Sequence, residues 1–229
     1  MSAPFEGIQP RTVDILPDHS LSWEVVDVPS YRAKLYVSPH CSQDLAAAVV
    51  RYTTQSPENP VWPKGGDYGL VYEYVDDTVL KVFKDKNTRD YLRAGDLDDV
   101  VANVALSVGL GKISQRSSLF SRESYTFSAP EIHAVAIPNS RGYDNQHIVW
   151  AMERIDGDSP IAMESLPSRR KRKKSYERAL EACGLPKTAR IDFDDKDANM
   201  LIRPSDGSRT TEIVKIDIMA GEALGRYYQ

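Results

Sequence analysis

The densest group of chemically useful side chains lies in the stretch IDFDDKDANMLI, residues 191–202. Asp194 is followed by Lys196 and Asn199 in a D-x-K-x-x-N pattern, and Asp217 comes after two further strand-like runs. One carboxylate can accept the proton of an attacking hydroxyl, while an amide and a second carboxylate can hold Mg²⁺ against nucleotide phosphates. A lysine can offset charge on the transferred group. The pattern is therefore typical of phosphoryl transfer; a polar loop before an exposed hairpin is the alternative.

The chain between Asn199 and Asp217 decides whether these two residues can meet. MLIRP and TEIVK are strand-like runs, and Asp206-Gly207 between them is a turn signal. The open end of an antiparallel hairpin brings its first and last residues side by side. We therefore expect Asn199 and Asp217 to be neighbours.

A second candidate phosphate site is the glycine-containing run KGGDYGLV, residues 64–71. Gly66 and Gly69 form a G-x-x-G-x-V frame between two strand-like runs, and Tyr68 would cap the tip of the loop. Glycine lets the backbone come close to phosphate oxygens because no Cβ is in the way. An ordinary tight turn is the alternative.

A lysine follows this loop at a spacing that suits a hairpin. Lys81 comes ten residues after Val71 and lies between Leu80 and Val82, so on a strand it points away from both. A half-buried lysine needs an anionic partner, and nucleotide phosphates would be one. The alternative is a lysine that faces water.

The remaining pattern predicts an α+β fold rather than alternating βαβ units. The predicted elements are an extended arm over 1–20, strands within 21–28 and 31–38, a helix capped by Ser42, a hairpin over 70–84 with its turn at Val75–Thr78, a helix within 96–110 with Asp96 as its cap, strands within 128–139 and 146–156, and a basic helix over 168–182.

Composition excludes several classes of protein. The 229 residues carry a net charge of −4, which does not suit a general nucleic-acid binder. The two cysteines, Cys41 and Cys183, make no metal or disulfide framework and are expected to be reduced thiols. No apolar run is long enough for a membrane span, and the N-terminus is not a Sec-type signal peptide. The expected location is cytoplasmic, or secreted by a non-Sec route.

In their order along the chain, five segments resemble the nucleotide site of the protein-kinase fold. GGDYGLV resembles the glycine-rich loop, VLKVF the strand with the phosphate-binding lysine, WAMERIDGDSP the hinge, FDDKDAN the catalytic loop and VKIDIM the metal-binding segment. The resemblance runs from about residue 62 to 220. It implies a bilobal fold: an N-terminal extension over 1–58, a five-stranded antiparallel N-terminal lobe over 59–152, and a much reduced C-terminal lobe over 153–229.

The resemblance also implies a role for each matching residue, with ATP and Mg²⁺ as cofactors. Lys81 would contact the α- and β-phosphates, Asp194 would orient or deprotonate the acceptor hydroxyl, and Lys196 would lie on the γ-phosphate. Asn199 and Asp217 would be the Mg²⁺ ligands. The implied nucleotide contacts are Gly66, Tyr68, Gly69, Val71, Lys81, Met152, Glu153 and Ile155.

The chain departs from the family pattern at several positions. Lys64 stands where the first glycine would be, Phe193 replaces an arginine, and Ile218-Met219 replace Phe-Gly. The helix after Lys81 contains no glutamate to pair with it, so Asp99 or Asn103 is the candidate partner.

Only twelve residues of this sequence follow Asp217, so we expect neither an activation loop nor a large helical lobe. This is similar to the minimal kinases that pathogenic bacteria deliver into host cells as effectors. The resemblance therefore implies transfer to a serine or threonine of a protein, with a host protein as the candidate substrate. Without an activation loop, activity would be either constitutive or dependent on an activating partner. Three alternatives stay open: a pseudokinase that only binds a partner, a kinase-fold enzyme that transfers AMP, and an unrelated α+β domain whose resemblance to kinases is accidental.

One further segment is unusual. SRRKRKKS contains six consecutive cations, Arg169–Lys174, in an acidic protein. A solvated helix face explains them without function. Alternatively, they bind an acidic surface, for which a partner protein, phosphoinositide, RNA or an import receptor would each provide the charge.

Overall fold

The computed structural model describes residues 9–55, 69–75, 77–83, 96–117, 125–139, 146–157, 167–185, 191–192, 199–204, 210–216 and 219–220. These residues form an α+β fold, as predicted, with a large antiparallel sheet and three α-helices. The chain divides into two compact units. The first comprises Met1–Ile15, Leu21–Asp96 and Ile132–Arg154, and the second comprises Leu16–Ser20, Leu97–Glu131 and Ile155–Gln229.

The elements are numbered in chain order. They are β1 (Arg11–Asp14), β2 (Ser22–Val28), a 3₁₀ turn (Pro29–Tyr31), β3 (Ala33–Val37), α1 (Gln43–Arg51), β4 (Gly69–Glu73), β5 (Thr78–Phe83), α2 (Asp96–Ser117), β6 (Tyr125–Ser128), β7 (Ile132–Pro138), β8 (Val149–Glu153), α3 (Arg169–Glu181), β9 (Ile191–Asp192), β10 (Met200–Pro204), β11 (Thr211–Lys215) and β12 (Met219–Ala220).

The first unit is built on a seven-stranded sheet in the order β1-β2-β3-β7-β8-β5-β4, and every pairing is antiparallel. Five strands were expected. Only four of the strands, β4, β5, β7 and β8, come from the predicted range 59–152, because β6 pairs with β11 instead. The other three, β1, β2 and β3, precede residue 59 and extend the same sheet. Part of the predicted arm is thus an edge strand, and the hairpin of β4 and β5 forms as predicted.

Helix α1 covers one face of this sheet. The Ser42 side chain accepts a hydrogen bond from the Leu45 amide at 3.2 Å, which confirms the predicted cap. Below the helix, buried side chains form one hydrophobic cluster; it includes Leu45, Val49, Leu35, Leu80, Val82, Ala134, Val149 and Ala151. The opposite face also carries buried side chains, among them Trp23, Val135 and Trp150.

The second unit contains helices α2 and α3, a three-stranded sheet in the order β10-β11-β6, and the short pair of β9 with β12. Helix α2 begins at Asp96, as predicted, but it continues to Ser117, well beyond the predicted end. Strand β6 was not predicted, and it pairs in parallel with β11. Helix α3 agrees with the predicted basic helix. No helix among the described residues has the length and apolar character that a bilayer crossing requires.

Candidate functional site

Three strands that carry expected nucleotide contacts lie side by side in the sheet of the first unit. Strand β5, with Lys81, has β4 on one side and β8 on the other. The register places Lys81 directly between Val71 of β4 and Trp150 of β8. The pairing therefore brings the glycine-loop strand, the lysine strand and the hinge strand into direct contact at the level of Lys81.

The Lys81 side chain lies on the sheet face opposite α1. Leu80 and Val82 belong to the cluster under α1, so strand alternation sends Lys81 the other way, as predicted. Its ammonium is 4.9 Å from the Phe83 ring centroid and 5.6 Å from that of Trp150. The two rings are themselves 5.1 Å apart. Both distances to Lys81 are within the range of cation–π attraction.

Sequence reasoning missed Phe83 and Trp150 as neighbours of the lysine. Phe83 could have been found, because residues two apart on a strand share a face. Trp150 could not, because its position beside Lys81 depends on a register between strands that are distant in sequence.

The predicted hinge residues lie at the end of β8. Met152 is buried and pairs with Val79, and Glu153 pairs with Thr78. Just after the strand, the Arg154 amide donates to the Asp77 carbonyl at 2.6 Å. The chain passes from the first unit to the second between Arg154 and Ile155.

The glycine loop is described only at its end. Gly66 and Tyr68 lie outside the described residues, and Gly69 opens β4 opposite Phe83. A Cβ at Gly69 would lie 3.0 Å from the Val82 carbonyl oxygen, which is a tight contact with backbone. Gly69 thus has a packing reason to be glycine, whatever the loop binds.

Two backbone pairings in the second unit flank the predicted catalytic segment. On one side, Asp192 of β9 pairs with Met219 of β12. On the other, the Ile216 amide donates to the Asn199 carbonyl at 3.1 Å, next to the first pair of the β10–β11 hairpin. The hairpin predicted between Asn199 and residue 217 is therefore confirmed for the described residues.

Asp194, Lys196 and Asp217 themselves lie outside the described residues. The described residues on either side of them are paired, Asp192 with Met219 and Asn199 with Ile216. Asn199 offers an amide oxygen, which is a ligand type that suits Mg²⁺.

Lys215 is a further residue that sequence reasoning missed. It is only 1% exposed, ends β11 and pairs with Met200, two residues before Asp217. A buried ammonium requires an anionic or strongly polar partner. Nothing in the pattern TEIVK signals this burial, because a lysine at the end of a strand usually reaches solvent.

The expected partners for Lys81 lie in α2. Asp99 is buried, and its backbone carbonyl accepts a hydrogen bond from the Asn103 side-chain amide at 2.8 Å. Burial raises the pKa of the neighbouring Asp98. The pairing of Asp99 or Asn103 with Lys81 stays a prediction.

The basic run occupies the first turns of α3. Arg172 is buried and donates to the Pro167 carbonyl at 2.8 Å, while the other five cations are exposed. Lys171 lies 4.5 Å above the Tyr125 ring, and Lys173 is 3.8 Å from the Glu177 carboxylate. No acidic residue lies in the first turn of the helix. Because a helix N-terminus is itself positive, cations at this end repel both each other and the helix dipole.

Comparisons with protein-family models, curated proteins and solved structures find no match for this chain.

Proposed function

We propose that this chain is a minimal phosphotransferase of the protein-kinase type, which moves the γ-phosphate of ATP to a serine or threonine hydroxyl of a protein. Two backbone contacts in the second unit carry the proposal: Asp192 pairs with Met219, and Asn199 accepts a hydrogen bond from Ile216. They support a shared site for the catalytic and metal-binding segments, because they join residues at the ends of both. A solvated loop before an exposed hairpin would account for the contact of Asn199 with Ile216, but it would not need the pairing of Asp192 with Met219.

The first unit supports the nucleotide half of the proposal. The strands with Val71, Lys81 and Met152 are adjacent, and Lys81 lies on the sheet face opposite α1. The change from first to second unit at Arg154–Ile155 supports a bilobal organisation, because it falls in the segment that resembles the hinge.

In the proposed reaction, the acceptor hydroxyl oxygen attacks the γ-phosphorus. The bond from that phosphorus to the bridging oxygen breaks, and ADP leaves with the electron pair. The Asp194 carboxylate orients the hydroxyl and accepts its proton, Lys196 offsets charge on the transferred group, and Lys81 holds the α- and β-phosphates.

The chemistry of the donor set suits magnesium. Asn199 offers an amide oxygen and Asp217 a carboxylate, and Mg²⁺ prefers oxygen ligands from one or two side chains together with phosphates. When bound, the ion would neutralise charge on the phosphate oxygens.

We include the exposed cations of α3 in this proposal: they form a docking surface for acidic regions of the protein substrate. Their repulsion is relieved by a partner of opposite charge. The resemblance to effector kinases extends the proposal to a host protein as substrate.

The test is intact-mass spectrometry after incubation with ATP and Mg²⁺, first of the pure protein and then of added eukaryotic lysate proteins. Wild type, Lys81→Ala and Asp217→Ala are compared. Lys34→Ala is the matched control, because Lys34 is an exposed lysine on β3 of the same sheet. We expect phosphate units with wild type and Lys34→Ala only.

The other outcomes separate the alternatives. Addition of AMP units would replace phosphotransfer with nucleotidyl transfer at the same residues. Nucleotide binding without transfer to any lysate protein would favour a pseudokinase. Equal transfer by wild type, Lys81→Ala and Asp217→Ala would exclude the proposed site altogether.

A further inference from the structure

Trp150 lies beside Lys81 and has a buried indole N–H, which the resemblance to kinases does not account for. Trp150 is 4% exposed, and its indole Nε1 has no hydrogen-bond partner among the described residues. A buried donor without an acceptor costs about 1–3 kcal/mol. An incoming oxygen atom would remove this cost.

The neighbours of Trp150 indicate what that oxygen belongs to. The indole pairs across the strands with Lys81, and the Lys81 ammonium lies 5.6 Å from its ring centroid. The ammonium lies over the ring, so an anionic oxygen that it binds on the side of Nε1 would accept from both donors. A ring N–H is a good second donor for an oxygen that already accepts from a lysine.

An orphaned indole by itself is not evidence for a ligand, and this protein shows why. Trp23 is also buried with an unpartnered Nε1 among the described residues, and it lies on the same sheet face. Trp23 is on β2, four strands away from β5 in the sheet order, a separation of roughly 19 Å. What distinguishes Trp150 is the cation beside it.

We propose that Trp150 is a nucleotide-contacting residue: its ring, together with Phe83, holds the Lys81 ammonium, and its indole N–H donates to a phosphate oxygen at Lys81. This inference rests on the proposed function, since it takes the ligand at Lys81 to be a nucleotide. It assigns two tasks to one side chain, and these can be separated by substitution.

Trp150→Phe keeps an aromatic face for the ammonium and removes the N–H. We expect nucleotide affinity, measured by calorimetry with a non-hydrolysable ATP analogue and Mg²⁺, to fall about tenfold. KM for ATP should rise with little change in kcat. Trp150→Leu removes the ring as well, so kcat should fall too, because Lys81 loses its fixed position.

Trp23→Phe is the matched control, because it removes an equally buried and equally orphaned indole N–H far from Lys81. It should leave nucleotide affinity at the wild-type value. Intrinsic fluorescence gives a second readout when Trp62, the third tryptophan, is replaced by phenylalanine in every protein compared. In that background the response to the nucleotide should persist in Trp23→Phe and disappear in Trp150→Phe. Thermal melting of each variant shows whether it is folded.

Equal affinity of Trp150→Phe and Trp23→Phe, both folded, would overturn the inference while leaving the proposed function intact. Failure of the wild type to bind any nucleotide would overturn both at once. A fall confined to Trp150→Phe would support the inference even if phosphate transfer were absent, since binding alone carries it.

Discussion

A Cβ atom at Gly109 of α2 would lie 2.0 Å from the carbonyl oxygen of Ala179 in α3. The two helices therefore touch through their backbones at this position. Gly109→Ala must push the helices apart, and we expect it to lower the free energy of unfolding by more than about 2 kcal/mol. Urea denaturation followed by circular dichroism measures the change.

Gly111→Ala is the matched control for this prediction. Gly111 is exposed in the same helix, and a Cβ there would meet nothing within 4 Å. Alanine is the better helix former, so this variant should be more stable than wild type by roughly 0.5–1 kcal/mol. Equal effects of the two substitutions would contradict the close approach of α2 and α3.

Gly109 also explains why the sequence predicted only the first part of α2. The apolar stripe of Leu97, Val101, Val104 and Val108 predicted the helix and its start, since periodicity is a local signal. It did not predict the continuation to Ser117, because Gly109 and Gly111 look like helix-ending residues. Packing on α3 is the tertiary reason for Gly109, and a sequence window does not contain it.

The strand pairings could also be predicted from the sequence only in part. The β4–β5 and β10–β11 pairings were predictable because only a few residues of sequence separate the two strands of each pair. The addition of β1–β3 to the main sheet and the parallel pairing of β6 with β11 join distant segments, so no local pattern reports them. The position of Trp150 beside Lys81 likewise depends on the pairing of β5 with β8, which are distant in the chain.

Asp18 forms an ion pair with Lys112 in the second unit, at 2.9 Å. Burial tends to raise the pKa of Asp18, but hydrogen bonds from Ser20 and Lys112 lower it to about 2. A lowered pKa means that the ionised carboxylate stabilises the fold above about pH 4 and that this contribution is lost between about pH 4 and 2. Hydrogen bonding to Asp18 also raises the pKa of Lys112, so the pair fails again only at strongly alkaline pH.

Asp18→Asn should therefore reduce the free energy of unfolding by about 1 kcal/mol near neutral pH, and the difference from wild type should shrink towards about pH 2. Urea titrations at several pH values measure it. Asp27→Asn is the control, because the Asp27–Arg11 pair is largely exposed and should contribute little. A difference that stayed constant with pH would argue against the ion pair as its source.

The two thiols should be slow to react in the folded protein. Burial raises the pKa of Cys41 to about 11, and burial also raises that of Cys183. Near pH 8, the thiolate fraction of Cys41 is then roughly a hundredfold below that of an ordinary cysteine. Alkylation by iodoacetamide, followed by peptide mass spectrometry, should be slow without urea and rapid with it.

Cys41 belongs to the first unit and Cys183 to the second, so each thiol reports on its own unit. Exposure of one thiol at a lower urea concentration than the other would show that the units unfold separately. Cys183 is buried and Cys41 is half-buried, so fast alkylation of either thiol in the absence of denaturant would contradict the prediction.

The basic run offers a test of the proposed docking surface. Arg170 and Lys174 are exposed on α3, and reversing both charges with Arg170→Glu and Lys174→Glu removes attraction for acidic partners. With a synthetic acidic peptide that contains one serine, we expect KM to rise about tenfold and to lose most of its salt dependence. Lys34→Glu, an exposed charge reversal in the first unit, should leave KM unchanged. A kcat effect without a KM effect would exclude a docking role.

Asn199 provides the test of the proposed metal site that depends least on the substrate. Its backbone is held by Ile216 at the open end of the β10–β11 hairpin, so Asn199→Ala removes a ligand without disturbing that hydrogen bond. We expect the Mg²⁺ concentration for half-maximal phosphate transfer to rise by at least about tenfold.

Asn199→Asp keeps an oxygen ligand and should recover part of this loss, because Mg²⁺ accepts a carboxylate in place of an amide. Asn139→Ala, at an exposed asparagine after β7, is the control and should match wild type. The measurement is an Mg²⁺ titration of phosphate transfer at fixed, saturating ATP. An unchanged Mg²⁺ requirement in Asn199→Ala would remove Asn199 from the metal site, even if the activity itself were confirmed.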